Sequence, residues 1–115
     1  MAKSHKPIIW GLFAGGGMVS AFVTPVMILI TGLAVPFHLI SREAMSYDRV
    51  HAFASNPIGK LLLFVVIFLP AWHAAHRLRI TAHDFGLRQD IPIAVVLYVT
   101  AAVGTIMTIS ALLKM

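Results

Sequence analysis

Charge is absent from three long blocks of the sequence, and this absence constrains the fold more than any other feature. The blocks contain no Asp, Glu, Lys or Arg, and they cover residues 7–41, 61–76 and 91–113. A bilayer core about 30 Å thick needs roughly 20 helical residues to cross it. Backbone groups in lipid must also be satisfied within the segment, which favours helices. The three blocks therefore predict three transmembrane helices.

The spans are placed from the length of each block. We place them at about residues 10–37, 57–78 and 92–113, within a single membrane domain of residues 1–115. The first block is longer than a bilayer core requires, so its helix is expected to tilt, to kink near Pro25 or to begin in the headgroup layer. The second block is shorter, and the cations at its ends can reach the headgroups.

The segment between the first and second spans mixes charged and apolar side chains. Residues 41–55 alternate irregularly between the two kinds, which favours a short helix in the membrane interface. Asn56 followed by Pro57 is suited to cap and begin the second span. The predicted fold is therefore an all-α membrane protein, with three transmembrane helices and a short interfacial helix between the first and second.

The composition excludes several classes of protein. Hydrophobic residues make up 59% of the chain and charged residues 11%, unlike a water-soluble domain. The formal charge of +5 comes from cations scattered at the edges of apolar blocks, so we expect contact with the lipid bilayer and no nucleic acid. Without cysteine the chain cannot hold an iron–sulfur cluster or a thiolate metal site. Residues 8–40 are too long for the apolar region of a cleaved signal, so we expect a retained span.

The cations favour one orientation by a small margin. An odd number of spans places the N-terminus and the second loop on one side of the membrane. Five of the nine cations lie on that side, and they are Lys3, Lys6, Arg77, Arg79 and Arg88. The rule that positive charge stays inside then favours a cytoplasmic N-terminus by a single charge.

Four polar side chains are expected at one depth on the N-terminal side. Trp10 opens the first span, and His73, His76 and Arg77 close the second along one helical face. Indole, imidazole and guanidinium groups together offer donors to a carbonyl oxygen of a ligand. The alternative is an aromatic belt with a snorkelling arginine and interfacial histidines.

Small residues form ridges on the first and third spans. The run Gly15–Gly17 extends a Gly11-x-x-x-Gly15 pattern, and Thr100-x-x-x-Gly104-x-x-x-Thr108 lies on the third span. Such ridges allow helix backbones to approach closely, so packing is favoured over the alternative of a flat ligand lying against glycine. Ridges on so short a chain also indicate that helices of a partner complete the bundle.

The polar residues do not form a catalytic apparatus. No nucleophile with a base and no carboxylate pair lies within a span, so we predict no catalytic and no metal-binding residue. A haem-bearing succinate dehydrogenase anchor is one alternative, but the histidines fall at span ends or in loops. A small transporter is another, but it should carry an acidic residue within a span, and none is present.

Four segments together resemble the D subunit of the bacterial four-subunit fumarate reductase. They are WGLFAGGGMVSAFVTPVMIL, SYDRVHAFA, IGKLLLFVVIFLPAW and AHRLRITAHDFGL. The similarity extends from about Trp10 to the C-terminus and weakens along the third span. The motifs are specific in combination, above all WGLF with a glycine cluster and HR followed by HD.

The resemblance implies a non-catalytic anchor in the bacterial inner membrane, with a cytoplasmic N-terminus and a periplasmic C-terminus. It implies partnership with a second three-helix anchor subunit, an iron–sulfur subunit and a flavoprotein subunit in the reduction of fumarate by menaquinol. By position in the motifs, Trp10, His76 and Arg77 correspond to quinone-binding residues at a site shared with partner subunits. No haem is expected, and no role is carried onto His73.

The predicted topology can be tested with fused reporters. A reporter fused after Met115 should be active only if it functions in the periplasm, because three spans carry the C-terminus across the membrane. The same reporters fused after Arg88, in the second loop, should show the reverse pattern. A cytoplasmic reporter that works after Met115 would contradict the span count or the orientation.

Overall fold

Residues 5–115 form a helical bundle in the computed structural model, which describes this part of the chain. Lys3, which entered the charge comparison, lies outside the described residues. The helices are α1 (Lys6–Leu29), α2 (Tyr47–Ser55), α3 (Pro57–Asp84) and α4 (Asp90–Leu113). Helices α1, α3 and α4 are each long and apolar enough to cross a membrane, and α2 is the shorter helix between the first two. The predicted all-α fold is confirmed.

Helix α1 does not end at its internal proline. It continues through Pro25 to Leu29, and a π-helical segment then covers Ile30–Ala34. In that segment the Thr31 hydroxyl donates to the Met27 carbonyl at 2.7 Å. A proline lacks the N–H that would bond the preceding turn, but lipid-embedded helices tolerate this loss. The apolar helix thus covers residues 6–34, whereas the sequence placed the span at about 10–37.

Hydroxyl and amide caps define the segment between α1 and α3. Ser46 caps α2 by accepting a hydrogen bond from the Arg49 N–H at 3.4 Å. Asn56 Oδ1 accepts from the Ile58 N–H at 2.9 Å, and Pro57 occupies the first turn of α3. This is the predicted cap of the second span. A proline in the first turn costs little because its missing N–H has no partner within the helix.

Helix α3 extends beyond the predicted end of its span. It continues past residue 78 to Asp84, so most of the polar segment expected between the spans is helical. Gly86 then reverses the chain with a φ of +86°, a conformation that glycine adopts without a steric penalty. Arg79 donates to both carboxylate oxygens of Asp90 at 2.7 and 2.6 Å, and His83 lies 3.0 Å from the same carboxylate. This ion pair ties α3 to the first residue of α4.

Helices α1 and α3 approach each other closely at the glycine cluster. A Cβ added to Gly16 would meet the Leu69 carbonyl oxygen and would lie 2.6 Å from His73 Cβ. A Cβ added to Gly17 would lie 2.8 Å from the His73 ring. The packing interpretation is thus confirmed for Gly16 and Gly17. A Cβ at Gly15 would meet nothing within 4 Å, so that glycine does not serve contact with α3.

The chain buries very little of its own apolar surface. Among the described residues, the buried hydrophobic side chains are three alanines, Ala54, Ala75 and Ala101. Large side chains on each long helix stay outside, such as Phe22 at 71% exposed and Ile91 at 76%. Isolated in water such a surface would aggregate. Lipid or other membrane subunits must therefore cover it.

The close approach at Gly16 gives a test with a matched control. Gly16→Ala should destabilise the subunit by about 1–3 kcal/mol, because backbone oxygen of α3 cannot move aside as a flexible side chain does. Gly15→Ala makes the same chemical change where space is open, and it should stay within about 0.5 kcal/mol of wild type. Unfolding of the purified subunit in mixed detergent would measure both, and equal stability would contradict the α1–α3 packing.

Candidate functional site

Trp10 and His76 meet between α1 and α3 as the sequence predicted. Their ring centroids lie 5.0 Å apart in an edge-to-face arrangement of 71°. Phe13, one turn after Trp10, stacks on the His76 ring with centroids 4.4 Å apart and an angle of 8°. The two helices are antiparallel, so the second turn of α1 reaches the depth of the second half of α3. The imidazole therefore contacts two aromatic rings of α1.

Arg77 lies beside this pair without joining it. Its side chain is exposed, and no hydrogen bond or ion pair engages it within residues 5–115. Trp10 is 53% exposed, so it also stands at the surface of the bundle. The structure thus brings Trp10 and His76 together and leaves the guanidinium donors of Arg77 available to something outside this chain.

His73 was one of the four side chains expected at this depth, although the family resemblance carried no role onto it, and it acts in helix packing. Its Nδ1 donates to the Phe13 carbonyl oxygen at 2.7 Å, across the contact between α3 and α1. The ring occupies the space that Gly17 leaves free. His73 therefore joins the two helices one turn before His76 in the sequence of α3. The same hydrogen bond also fixes the backbone that carries Phe13.

Tyr98 contacts the candidate site, and sequence reasoning missed it. Its hydroxyl lies 3.2 Å from His76 Nδ1 and 3.5 Å from Arg79 Nη1. The Arg79 Cζ also lies 5.8 Å from the centre of the Tyr98 ring. The depth of Tyr98 in the membrane could have been predicted, because His76 is eight residues before the end of α3 and Tyr98 eight residues after the start of α4. The rotation of α4 about its axis, which turns Tyr98 towards His76, could not have been predicted.

The site carries uncompensated positive charge. Arg79 is paired with Asp90, but Arg77 has no carboxylate partner in the described part of the chain. The aromatic rings of Trp10 and Phe13 contact each other and the ring of His76, the residue before Arg77. Such a surface suits a flat apolar molecule with an oxygen that accepts hydrogen bonds and gains negative charge.

The three apolar helices and their exposed surface define a multi-pass membrane protein that lipid or neighbouring subunits enclose. Residues 1–113 match the family described as the D subunit of fumarate reductase. The chain therefore belongs to the fumarate reductase D-subunit family, whose members are membrane subunits of an enzyme complex.

Individual relatives agree with the family match. The chain is 40% identical over 107 residues to the fumarate reductase D subunit of Vibrio parahaemolyticus, covering 93% of this chain and 86% of the relative. It is 39% identical over 107 residues to the D subunit of Aliivibrio salmonicida, covering 93% and 89%. It is 37% identical over 105 residues to that of Shewanella putrefaciens, covering 91% and 87%.

A pair of His73 variants tests its packing role. His73→Ala removes the bond to the Phe13 carbonyl and should cost about 0.5–1.5 kcal/mol, in addition to lost ring contacts. His73→Asn places an amide N–H near the position of Nδ1 and should recover part of that loss. Detergent unfolding of the purified subunit would compare them, and an Ala variant as stable as the Asn variant would contradict the hydrogen bond.

Proposed function

We propose that this chain is the non-catalytic anchor of a fumarate reductase complex and contributes three residues to its menaquinol-binding site. Trp10, His76 and Arg77 are those residues. The observation that carries the proposal is the meeting of Trp10 and His76 from two helices, with ring centroids 5.0 Å apart, next in sequence to an arginine whose donors have no partner within residues 5–115. Two of the three residues implied by the family motif thus share one surface.

The donor set fits a quinone oxygen. The quinol supplies two electrons and two protons to the reaction, and its oxygens gain negative charge as the protons leave. The Arg77 guanidinium and the Trp10 N–H can each donate a hydrogen bond to such an oxygen. Donors that a protein holds in place stabilise developing charge more than water does, since they need not reorient. Trp10 is placed in this way by its ring contacts with Phe13 and His76.

The partners proposed are the other three subunits of the complex. A second three-helix anchor would cover the apolar faces that α1, α3 and α4 leave exposed, of which Phe22 and Ile106 are examples. The iron–sulfur and flavoprotein subunits would dock at the end that carries Arg77. The chain would lie in the inner membrane of a bacterial cell. The end that carries Arg77 would face the cytoplasm, and α2 would lie on the periplasmic side.

We also propose that this chain ligates no haem. Membrane anchors that bear haem often hold it between histidines of different helices. The histidines that lie on α1, α3 or α4 are His73, His76 and His83, and all three belong to α3. An optical spectrum of the purified complex tests this proposal, since a haem Soret band that disappears in His73 or His76 variants would refute it.

Arg77→Lys separates a quinone ligand from a snorkelling cation. Lysine keeps the charge at the interface but cannot reproduce the planar fork of arginine. Loss of one charge-assisted hydrogen bond should cost on the order of 1.5–3 kcal/mol, roughly ten- to a hundred-fold in quinol oxidation. Menaquinol-dependent fumarate reduction in membranes would measure it.

Arg88→Lys is the matched control, because Arg88 is exposed in the turn after α3. Its quinol oxidation should equal that of wild type. Fumarate reduction with an artificial electron donor reports assembly of each complex, because that reaction bypasses quinol. Wild-type quinol oxidation by both Arg77→Lys and Arg77→Ala in assembled complexes would show that Arg77 does not bind quinol.

A further inference from the structure

The hydroxyl of Tyr98 connects His76 to a network that the quinone-site motif does not include. It lies 3.2 Å from His76 Nδ1 and 3.5 Å from Arg79 Nη1. Arg79 is in turn held by both oxygens of Asp90. A continuous line of polar contacts therefore runs from the start of α4 to the imidazole.

The direction of the bond to His76 follows from the chemistry of the partners. Arginine is only a donor, so Arg79 gives its hydrogen to the Tyr98 oxygen. The hydroxyl proton then needs an acceptor, and His76 Nδ1 is the one acceptor among the contacts of this hydroxyl in the described chain. Tyr98 therefore donates to Nδ1. In a neutral imidazole that accepts at Nδ1, the proton is carried by Nε2.

Contacts within this chain hold the Tyr98 side chain in place without a ligand. Its ring stacks on Trp72 with centroids 6.0 Å apart and an angle of 18°. The Trp72 Nε1–H donates to the Thr105 hydroxyl at 3.0 Å, which holds that indole against α4. The Arg79 guanidinium also lies over the Tyr98 ring. Orientation of a histidine by such a neighbour is how proteins select one tautomer.

We propose that Tyr98 is a positioning residue that holds His76 in the tautomer with a proton on Nε2, so that His76 donates a hydrogen bond to a quinone oxygen. This inference rests on the proposed function. The His76 Nε2 has no partner within residues 5–115, so the bond it donates is free for a ligand. In its neutral form His76 is then a donor to the ligand rather than the acceptor of its proton.

Tyr98→Phe tests the inference in the assembled complex. It removes the hydroxyl and keeps the ring, so kcat/KM for menaquinol should fall about tenfold, the effect of one hydrogen bond. Tyr47→Phe makes the same change on α2, where Tyr47 is 78% exposed and stacks on His51. It should leave quinol oxidation unchanged. Fumarate reduction with an artificial donor checks assembly of both variants.

A spectroscopic measurement distinguishes tautomer selection from packing. The ¹⁵N NMR spectrum of the histidine-labelled complex should show His76 protonated at Nε2 in wild type, with assignment by difference from His76→Gln. Tyr98→Phe should populate the form protonated at Nδ1. A His76 spectrum that Tyr98→Phe leaves unchanged would overturn the inference even if quinol oxidation fell, because the hydroxyl would then act only in packing.

Two substitutions of His76 keep the test decisive if Tyr98→Phe fails to assemble. The Gln amide reaches the position of Nε2, whereas the Asn amide reaches that of Nδ1. His76→Gln should therefore retain several-fold more quinol oxidation than His76→Asn, and the opposite order would overturn the inference.

Normal quinol oxidation in every Trp10, His76 and Arg77 variant would instead refute the proposed function itself. Losses in those variants with wild-type behaviour of Tyr98→Phe would refute the role of Tyr98 alone.

Discussion

The close approach of α1 to α3 is the contact on which the rest of the structure depends. Gly16 lies against the backbone of α3 near Leu69, and Gly17 leaves room for the His73 ring. A bundle in lipid has no hydrophobic force to draw helices together, so packing of small residues and hydrogen bonds between helices must do so. His73 supplies that bond at the same place. The contact then sets the distance at which aromatic side chains of α1 meet the end of α3.

The geometry of the candidate site follows from this contact between the helices. Phe13 and Trp10 precede the glycines by one and two turns, and His76 follows His73 by one turn. In antiparallel helices these steps run towards the same end of the bundle. The rings of Trp10, Phe13 and His76 therefore converge at one depth without any loop to place them. A site on rigid helices holds its geometry better than a site on loops.

The second half of the site depends on how α4 is joined to α3. The bidentate pair of Arg79 and Asp90 fixes the first turn of α4, and the positive φ of Gly86 makes the connection short. Tyr98 then lies two turns along α4, where it meets His76 and stacks on Trp72. Most remaining apolar surface faces outward, which agrees with membership of a family of subunits in a larger complex.

The three long helices, the short helix and the cap at Asn56 could all be predicted from the sequence, because charge-free length and cap chemistry are local properties. The depth of Trp10 and His76 was also predictable, since it depends only on span order. The rotation of each helix about its axis was not, because a nearly all-apolar helix has no polar face to mark its inside. Only the tertiary structure therefore decided that Gly16 rather than Gly15 packs on α3. It also decided that His73 donates a hydrogen bond to a carbonyl of α1. The direction of Tyr98 towards His76, and of Arg77 away from the bundle, was decided in the same way. These choices come from side-chain contacts between helices, and such contacts exist only once the helices have packed.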